Sequence, residues 1–583
     1  GNLSACPSLS PARHFTGCLI SATSATKRTP RLLLTLFEQL YRTKSDAIHW
    51  GFGLIDCQPG LTQRTSKIMN TQLDLAKLGT QNYGPLDERP HAIVIGSGFG
   101  GLAAAVRLGA RGYRVTILEK LDAAGGRAYV YHQDGFTFDA GPTIITAPFL
   151  LEELWELCGR KLSDDVDLRP MDPFFRIRFD DGRSFDYSGD RESNIEQIKT
   201  FNEADAEGYL KYLDASEQRY RVGFERLGFK SFDSLWQLIR FLPQLIRLRS
   251  DRSVYSLVSS YIKDPYLRQV MSFHPLLIGG NPFSVTGIYS LISHLEQSFG
   301  VWSAMGGTGR LVDGFVSLIE GQGSNIFYNT EVAQINTEGR RATGVTLKTG
   351  ETLNADIVVS NADSAWTYRH LLPENKRKRW TNKRLDKAAY SNGLFVWYFG
   401  TQGRYEDVPH HSVLLGPRYE GLLKDIFKHK VLSDDFSLYL HRPTATDSSM
   451  APEGCDTFYA LVPVPHLDAG VDWLEHAETF RQAIETRLAE TVLPDISNRI
   501  MTSRLLTPLD FQDRLNSFKG AGFSFEPRIS QSAWFRPHNQ SEDFDGLYLV
   551  GAGTHPGAGI PGVISSAKVL DEVVPHATTI RTR

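Results

Sequence analysis

The chain has 583 residues, a formal net charge of −3 at pH 7 and 41% hydrophobic residues. This length predicts two or three lobes rather than a single core, and the near-neutral charge gives no indication of general nucleic-acid binding. Its five cysteines show no metal-ligand spacing, so we expect a reducing compartment with neither structural disulfides nor a zinc site.

The N-terminal 68 residues differ in composition from the rest of the chain. They are basic, poor in acidic residues and rich in Ser and Thr, as transit peptides are, and they show no sustained hydrophobic periodicity. We interpret residues 1–68 as a leader that is disordered, serves in targeting or is a non-native extension. Residues 69–90 are interpreted as a polar linker, so the folded protein is expected to begin near Met69.

The first strong motif is a glycine-rich turn between a predicted strand and a predicted helix. Residues 92–95 are an apolar run typical of a buried parallel strand, and residues 102–110 predict a helix of small residues. Between them the spacing G-x-G-x-x-G predicts that backbone N–H groups and the helix N-terminus bind a pyrophosphate. The predicted phosphate-binding residues are Gly96, Ser97, Gly98, Gly100 and Gly101.

A second strand and an acidic residue come next, at the spacing that a dinucleotide fold requires. Residues 114–118 predict the strand, and Glu119 ends it about twenty residues beyond the glycines. A carboxylate at this position can accept hydrogen bonds from ribose hydroxyls and disfavours a 2′-phosphate. NADP is therefore disfavoured, while NAD and FAD both remain candidates.

A second glycine motif, G-G-R, comes directly after the second strand. Gly125 and Gly126 let the backbone pass close to a bulky ligand, and Arg127 can supply a cation to its phosphates or rings. The order of G-x-G-x-x-G, Glu119 and G-G-R resembles the group of flavoproteins that includes amine oxidases, protoporphyrinogen oxidases and carotenoid desaturases. The resemblance implies that the dinucleotide is FAD.

The C-terminal region predicts another part of the same site. Residues 547–550 predict a strand, and a glycine-rich loop that includes Gly553 and Gly562 leads to a helix from about Val563. Such a helix start places N–H groups and a positive dipole near a flavin and stabilises the negative charge of its reduced form. The two ends of the chain are therefore predicted to close one nucleotide domain.

The remaining elements predict an α/β protein with a discontinuous, Rossmann-like FAD domain and a second, mixed α+β lobe. A helix, a β-meander with turns at Gly339 and Gly350, and a strand at 357–359 indicate a return to the first domain, and Val332 in the meander is a further cofactor-binding candidate. The FAD domain is assigned to residues 91–175, 301–363 and 531–575. The substrate-binding, membrane-facing lobe is assigned to residues 176–300, predicted mainly helical, and 364–530.

Residues 229–262 combine apolar, aromatic and basic side chains. This pattern suits a helix pair that lies in a membrane interface, and it suits an ordinary amphipathic core helix equally well. No stretch of the sequence reaches the eighteen or so consecutive apolar residues of a spanning helix.

From about His91 to the C-terminus the sequence resembles the bacterial-type phytoene desaturases of carotenoid synthesis. The resemblance is carried in combination by "VIGSGFGGLAAAVRL", "GGRAYVY", "GFTFDAGPTIIT", "GVWSAMGGTGRLV", "QSAWFRPHN" and "VGAGTHPGAGIPGVISSAK". It implies an FAD-dependent desaturase that converts 15-cis-phytoene, through C40 carotenoid intermediates, to all-trans-lycopene. It also implies electron transfer to a quinone or oxygen and a peripheral, monotopic position on the cytoplasmic side of a membrane.

Other functions remain open on the sequence. The enzyme could stop at neurosporene, or it could be another flavoenzyme on the same scaffold, such as a carotenoid isomerase, a ketolase or an amine oxidase. A non-enzymatic carrier of isoprenoid lipids is the more distant alternative, and the intact glycine motifs count against it.

The resemblance also implies a catalytic polar pair within "SFDSLWQLIR". Arg240 matches the family's arginine, but Gln237 stands where the acid is expected, and Asp233 could share a helical face with Arg240. A buried Asp233–Arg240 pair could accept or steer the proton that leaves with an allylic hydride. The alternative is a membrane-facing arginine and a helix-capping aspartate, and Arg268 and His274 are interpreted as buried structural residues.

The motif "PHH" at 409–411 could suggest a metal ligand set. The alternative, a solvated loop, is favoured, so the sequence predicts no metal site.

Overall fold

A computed structural model of the chain describes residues 85–580. The predicted leader and residues 69–84 of the predicted linker lie outside the described residues. Among the helices of the described part, none combines the length and the hydropathy that a bilayer crossing requires.

The strands are, in chain order, β1 (His91–Ile95), β2 (Arg114–Leu118), β3 (Val130–Gln133), β4 (Phe136–Asp139), β5 (Leu168–Pro170), β6 (Phe175–Arg178), β7 (Ser184–Tyr187), β8 (Trp302–Ala304), β9 (Asn325–Phe327), β10 (Val332–Glu338), β11 (Arg341–Leu347), β12 (Thr352–Asn354), β13 (Ile357–Ser360), β14 (Gly393–Gln402), β15 (His411–Leu414), β16 (Leu438–His441), β17 (Cys455–Val464), β18 (Ile500–Leu506) and β19 (Leu547–Leu549).

The helices are, in chain order, α1 (Phe99–Ala110), α2 (Phe149–Glu156), α3 (Arg191–Asn202), α4 (Asp205–Tyr220), α5 (Leu235–Arg247), α6 (Val254–Val258), α7 (Pro265–Ser272), α8 (Leu291–Phe299), α9 (Thr308–Gly321), α10 (Ser364–Trp366), α11 (Asn382–Lys387), α12 (Tyr419–Lys424), α13 (Trp473–Thr491), α14 (Ile496–Arg499), α15 (Pro508–Leu515) and α16 (Ile560–Val573).

A five-stranded parallel sheet combines strands from the beginning, the middle and the end of the described chain. Its order is β19-β13-β1-β2-β9, so the glycine-motif strand β1 lies at its centre. Alternate side chains of β1 pack on opposite faces, against α1, α9 and α16 on one side and the three-stranded meander β10-β11-β12 on the other. Burial on both faces explains why these strands are almost uninterruptedly apolar. The predicted domain boundaries themselves stay predictions.

A buried ion cluster fixes the helices beside this sheet. Arg107 of α1 pairs with Glu153 of α2 at 2.8 Å and with Asp571 of α16 at 2.7 Å. Lys568 also pairs with Glu153, at 2.6 Å. Because the Arg107 side chain is almost fully buried, its two carboxylate partners are needed to compensate its charge.

A seven-stranded sheet forms the body of the second half of the chain, in the order β18-β14-β17-β16-β15-β6-β7. Its strands are antiparallel except for β15 and β6, which are parallel. The side chains of Phe395, Trp397 and Phe399 pack under α13, while Val396 and Tyr398 face the aromatic residues near β4. Thus the segment predicted to be mainly helical also contributes β7, an edge strand of this sheet.

Two helices begin earlier than the sequence predicts. α1 starts at Phe99 rather than at 102, and α16 starts at Ile560 rather than near Val563. Glycine has a low helix propensity, which leads a sequence prediction to begin each helix beyond its glycines. In the structure those glycines belong to the first turn, where the lack of a side chain permits close packing.

Candidate functional site

The turn between β1 and α1 is shaped by contacts that only glycine allows. Gly96 has a φ of +88°, a left-handed conformation that favours glycine. A Cβ atom at Gly101 would lie 2.1 Å from the carbonyl oxygen of Gly96. The helix N-terminus can therefore begin directly at the end of the strand, where its free N–H groups form an anion-binding site.

Asn361, to which the sequence alone assigns no role, packs against this turn from the end of β13. Its Nδ2 donates to the carbonyl oxygen of Gly96 at 3.4 Å. A Cβ at Gly100 would lie 2.6 Å from its Oδ1 and 2.9 Å from the amide nitrogen of Gly551, just beyond β19. The carboxyl ends of three parallel strands thus meet at one point, the place where open α/β sheets bind their ligands.

Glu119 and Ser97, both predicted site residues, are in direct contact. The buried Glu119 carboxylate accepts hydrogen bonds from the amide and the hydroxyl of Ser97, each at 2.7 Å, and from the amide of Leu121 at 2.8 Å. The amide of Thr330 donates to the Glu119 carbonyl oxygen at 2.7 Å, which brings the start of β10 and Val332 to the same end of the sheet. The acid is therefore held in a fixed orientation, and its predicted contact with ribose stays a prediction.

The G-G-R motif lies against the phosphate-binding turn. The amide of Gly125 donates to the carbonyl oxygen of Ser97 at 3.0 Å, and a Cβ at Gly126 would lie 3.2 Å from the Cα of Gly98. Two of the Arg127 donors bind the segment 517–522, through the Gly522 carbonyl at 2.8 Å and the Ser517 hydroxyl at 2.7 Å. Burial lowers the pKa of Arg127, and Asp363 opposes this effect. Arg127 therefore connects the turn to the second half of the chain.

The C-terminal glycine loop closes the site from the other side. A Cβ at Gly553 would lie 2.4 Å from the Ser364 hydroxyl, and one at Gly562 would lie 2.6 Å from the carbonyl oxygen of Gly557. The amide of Val563 already donates to the Gly559 carbonyl at 2.9 Å, so the prediction that Val563 opens the helix is wrong. The N–H groups that remain free for a ligand belong to the residues before it, in the first turn of α16.

Asp139 belongs to the motif "GFTFDAGPTIIT", but the sequence does not single it out as a site residue. It ends β4 and accepts a hydrogen bond from the amide of Thr308 at 2.9 Å, where α9 begins. A Cβ at Gly307 would lie 2.6 Å from its carboxylate oxygens. Burial raises the pKa of Asp139 from 3.8 to about 6, against the opposing effect of the hydrogen bonds at the α9 N-terminus. A carboxyl that ionises near neutral pH thus fixes the strand to the helix.

The predicted catalytic pair is not buried. Asp233 and Arg240 are both exposed, and Asp233 lies before α5, whose N-cap is Ser234. The shared helical face therefore does not exist, and the prediction of a buried pair is wrong, as is the alternative of Asp233 as a helix cap. His274 is buried as predicted and contacts Glu296 at 2.9 Å, and the partly buried Arg268 donates to the carbonyl of Ile262 at 2.8 Å.

Helix α5 presents an apolar face to solvent. None of its residues is buried; Trp236 is 78% exposed, Ile246 54% and Ile239 37%. The predicted helix pair is wrong, because the next helix, α6, has an apolar face buried in the core. A groove of about 510 Å³ lies beside α5, and its basic lining residues are Arg221, Arg226 and Arg247.

The histidines of the "PHH" motif do not lie in a solvated loop. His410 and His411 are buried, and His411 begins β15 beside His441 of β16. They are buried because β15, which His411 begins, lies inside the sheet and pairs with β16. This pairing cannot be read from the local sequence.

The profile of the family described as flavin containing amine oxidoreductase matches residues 99–569 of the chain. A phytoene desaturase (neurosporene-forming) of Cereibacter sphaeroides is 50% identical over 505 residues, which cover 86% of this chain and 97% of that protein. A phytoene desaturase (lycopene-forming) of Pantoea ananas is 48% identical over 476 residues, which cover 82% of this chain and 97% of that protein.

Solved structures share the fold at low sequence identity. Putrescine oxidase bound to putrescine is 14% identical with a TM-score of 0.55, and the match covers 83% of this chain and 99% of that chain. An oxidoreductase from Methanosarcina mazei is 18% identical with a TM-score of 0.55, and the match covers 83% of this chain and all of the other. At this identity the likeness concerns the fold alone.

Proposed function

The chain belongs to the flavin-containing amine oxidoreductases and, within them, to the bacterial-type phytoene desaturases, and from this premise we propose that it desaturates 15-cis-phytoene in successive steps to all-trans-lycopene. The observation that carries the proposal is the identity of nearly 50% across almost the whole length of such desaturases, together with an intact glycine turn. The reaction class is the removal of two hydrogens from adjacent carbons.

FAD is the cofactor, and the residues of the site fit it. The α1 N-terminus behind Gly98 would hold the pyrophosphate, Glu119 the ribose, and the first turn of α16 the flavin ring. The contacts that exclude a Cβ at Gly100 and Gly101 are with Gly96, Asn361 and Gly551, so these glycines let α1 begin directly beside the ends of β1, β13 and β19. When bound, FAD accepts a hydride equivalent, with its two electrons.

The residues of the chain orient the substrate and stabilise charge. One C–H bond of an allylic carbon breaks with its electron pair, the adjacent carbon loses a proton, and a C=C bond forms. A quinone or oxygen would be the final acceptor of the two electrons. The free N–H groups in the first turn of α16 stabilise negative charge at the ring, as oriented donors do in a site that excludes water.

Lycopene as the end product is a separate part of the proposal, because relatives of similar identity are named either lycopene-forming or neurosporene-forming. The neurosporene-forming enzyme at 50% identity supports neurosporene as an alternative end product. The test is expression of the full chain in a phytoene-producing bacterial host, with chromatographic analysis of pigments. We expect lycopene to accumulate; accumulation of neurosporene would establish the alternative, and unchanged phytoene beside FAD-loaded protein would refute the desaturase function.

We further propose that α5 binds the cytoplasmic surface of a membrane without spanning it. Exposed Trp236 and Ile246 would enter the interface, and the groove with Arg221, Arg226 and Arg247 would face anionic headgroups. This position would give a C40 hydrocarbon a path from the lipid to the site.

Sedimentation with anionic liposomes tests this proposal. The double substitution Trp236→Gln and Ile246→Gln is expected to lower the bound fraction several-fold, since it removes the apolar contact. Leu474→Gln is the matched control, because Leu474 on α13 is 88% exposed and lies outside the patch. Equal loss in the control, or full release of the wild type by high salt alone, would contradict an inserted α5.

A further inference from the structure

Three buried histidines form a cluster in the seven-stranded sheet, far from the glycine motifs in sequence. His411 of β15 lies directly opposite His441 of β16 in the antiparallel register, and His410 precedes His411. One ring nitrogen of each lies within 4.8 Å of the corresponding nitrogens of the other two. We call these residues, His410, His411 and His441, the histidine trio.

The trio has nitrogens without a protein partner. Nε2 of His410, Nε2 of His411 and at least one ring nitrogen of His441 are buried and make no hydrogen bond within the described residues. Unsatisfied polar atoms of this kind are rare in proteins and are costly to bury. These atoms have almost no accessible surface.

The other ring nitrogens of two members are fixed by hydroxyl groups. Nδ1 of His410 bonds to the Thr446 hydroxyl at 2.7 Å, and Nδ1 of His411 bonds to the Tyr439 hydroxyl at 2.6 Å. When each Nδ1–H donates to its hydroxyl oxygen, the lone pair lies on Nε2 and points away from that partner. Metal-binding histidines are oriented in this way by the group that their second nitrogen contacts.

We propose that the histidine trio binds a divalent transition-metal ion of the zinc type. Three imidazoles with an open fourth position are an established ligand set for Zn²⁺, with Zn–N distances of about 2.0–2.1 Å. Nitrogens within 4.8 Å of one another reach such distances from a common centre when the rings rotate and move inward by a small amount. The ion would be coordinated by one ring nitrogen of each histidine.

The surrounding charges are compatible with a buried cation. Arg442 is close to His410, but it pairs with the equally buried Asp456 at 3.0 Å, so its charge is offset. The carboxylate of Asp447 lies near His410 and supplies negative charge to the site. Because His411 and His441 stand opposite each other, the ion would link β15 to β16, independently of the proposed desaturase activity.

Metal analysis of the full-length, FAD-loaded protein tests the site. The protein is treated with EDTA, incubated with Zn²⁺, passed through a desalting column and analysed by mass spectrometry. We expect about one Zn²⁺ per chain and a higher thermal midpoint with Zn²⁺ than with EDTA. His411→Gln and His441→Gln are expected to lower zinc affinity at least tenfold and to abolish the midpoint shift. His476→Gln, at an exposed position of α13, is the matched control and is expected to behave as wild type.

Two further measurements keep the test decisive when a histidine variant does not fold. Tyr439→Phe retains all three imidazoles and removes the hydroxyl that orients His411, so we expect a tenfold to hundredfold loss of zinc affinity, the range typical of such outer partners. X-ray absorption at the zinc edge is expected to show three nitrogen ligands at about 2.0–2.1 Å. Three results would each overturn the proposal. One is equal zinc retention in the wild type, His441→Gln and Tyr439→Phe. The others are a zinc ligand shell dominated by oxygen or sulfur, and a wild type that retains no zinc.

Discussion

Replacing Gly101 by alanine tests whether the close contact between β1 and α1 controls FAD binding. The added Cβ would lie 2.1 Å from the carbonyl oxygen of Gly96, whereas real Cβ contacts are essentially never shorter than 3.0 Å. The turn and the helix must therefore separate by roughly 1 Å. The obstacle is a backbone atom, so no side-chain rotation relieves it.

The size of the effect can be worked from this displacement. Overpacking of a well-packed site costs about 1–3 kcal/mol. When this cost is added to the free energy of the FAD-bound protein, FAD affinity falls roughly fivefold to 150-fold, because about 1.4 kcal/mol corresponds to a factor of ten. The displaced helix N-terminus would also hold the pyrophosphate less closely.

The assay is titration of the apoprotein with FAD, monitored by flavin fluorescence, with thermal unfolding measured in parallel. Gly321→Ala is the matched control, since a Cβ at Gly321 at the end of α9 meets no atom within 4 Å. We expect weakened FAD binding in Gly101→Ala and wild-type binding in the control. Wild-type FAD affinity and an unchanged thermal midpoint in Gly101→Ala would refute the packing argument.

Buried charged groups give three further predictions. Arg107→Met leaves the partly buried Glu153 and Asp571 with fewer cations, and we expect a loss of about 3 kcal/mol in the free energy of unfolding, measured with urea. Glu119→Gln can keep one oxygen for the two Ser97 donors, but its NH2 group then faces the Leu121 amide and cannot accept that hydrogen bond, so FAD affinity is expected to fall about tenfold in the same titration while the fold persists. Burial raises the folded-state pKa of Asp139 from 3.8 to about 6. As the pH rises between these two values, the wild type is therefore expected to lose about 3 kcal/mol of stability relative to Asp139→Asn, with no further loss above them. A stability difference between the two proteins that does not change between pH 4 and 6 would contradict this prediction.

The sequence predicts the nucleotide half of the site well because its signals are local. The spacing of Gly96, Gly98 and Gly101 between a strand and a helix specifies the turn, and the bounds of β2 agree with the prediction. The order of motifs along the chain resembles that of a group of flavoproteins, and this resemblance implies FAD, which the family match supports. Asn361 and Asp139 carry no such signal, because each acquires its role from partners at the end of a strand that are distant in sequence.

Other predictions fail where a local rule is extended beyond its range. The Asp233–Arg240 interpretation continues helical periodicity across Ser234, where α5 begins. The histidine pair after Pro409 suggests a loop, but the register between β15 and β16 buries it. That register joins segments about thirty residues apart, and sequence pattern alone does not fix such a pairing.

The position of β19 in the parallel sheet has a consequence for how the protein is made. β19 pairs with β13 at the edge of the sheet, yet it is synthesised more than 180 residues later. At roughly 5–20 residues per second, the ribosome takes on the order of ten to forty seconds to cover that interval, during which the hydrogen-bonding edge of β13 has no partner. An unpaired apolar strand edge is prone to aggregation. We therefore expect the nascent chain to be most prone to aggregation during this interval, until the final strand and helix complete the sheet.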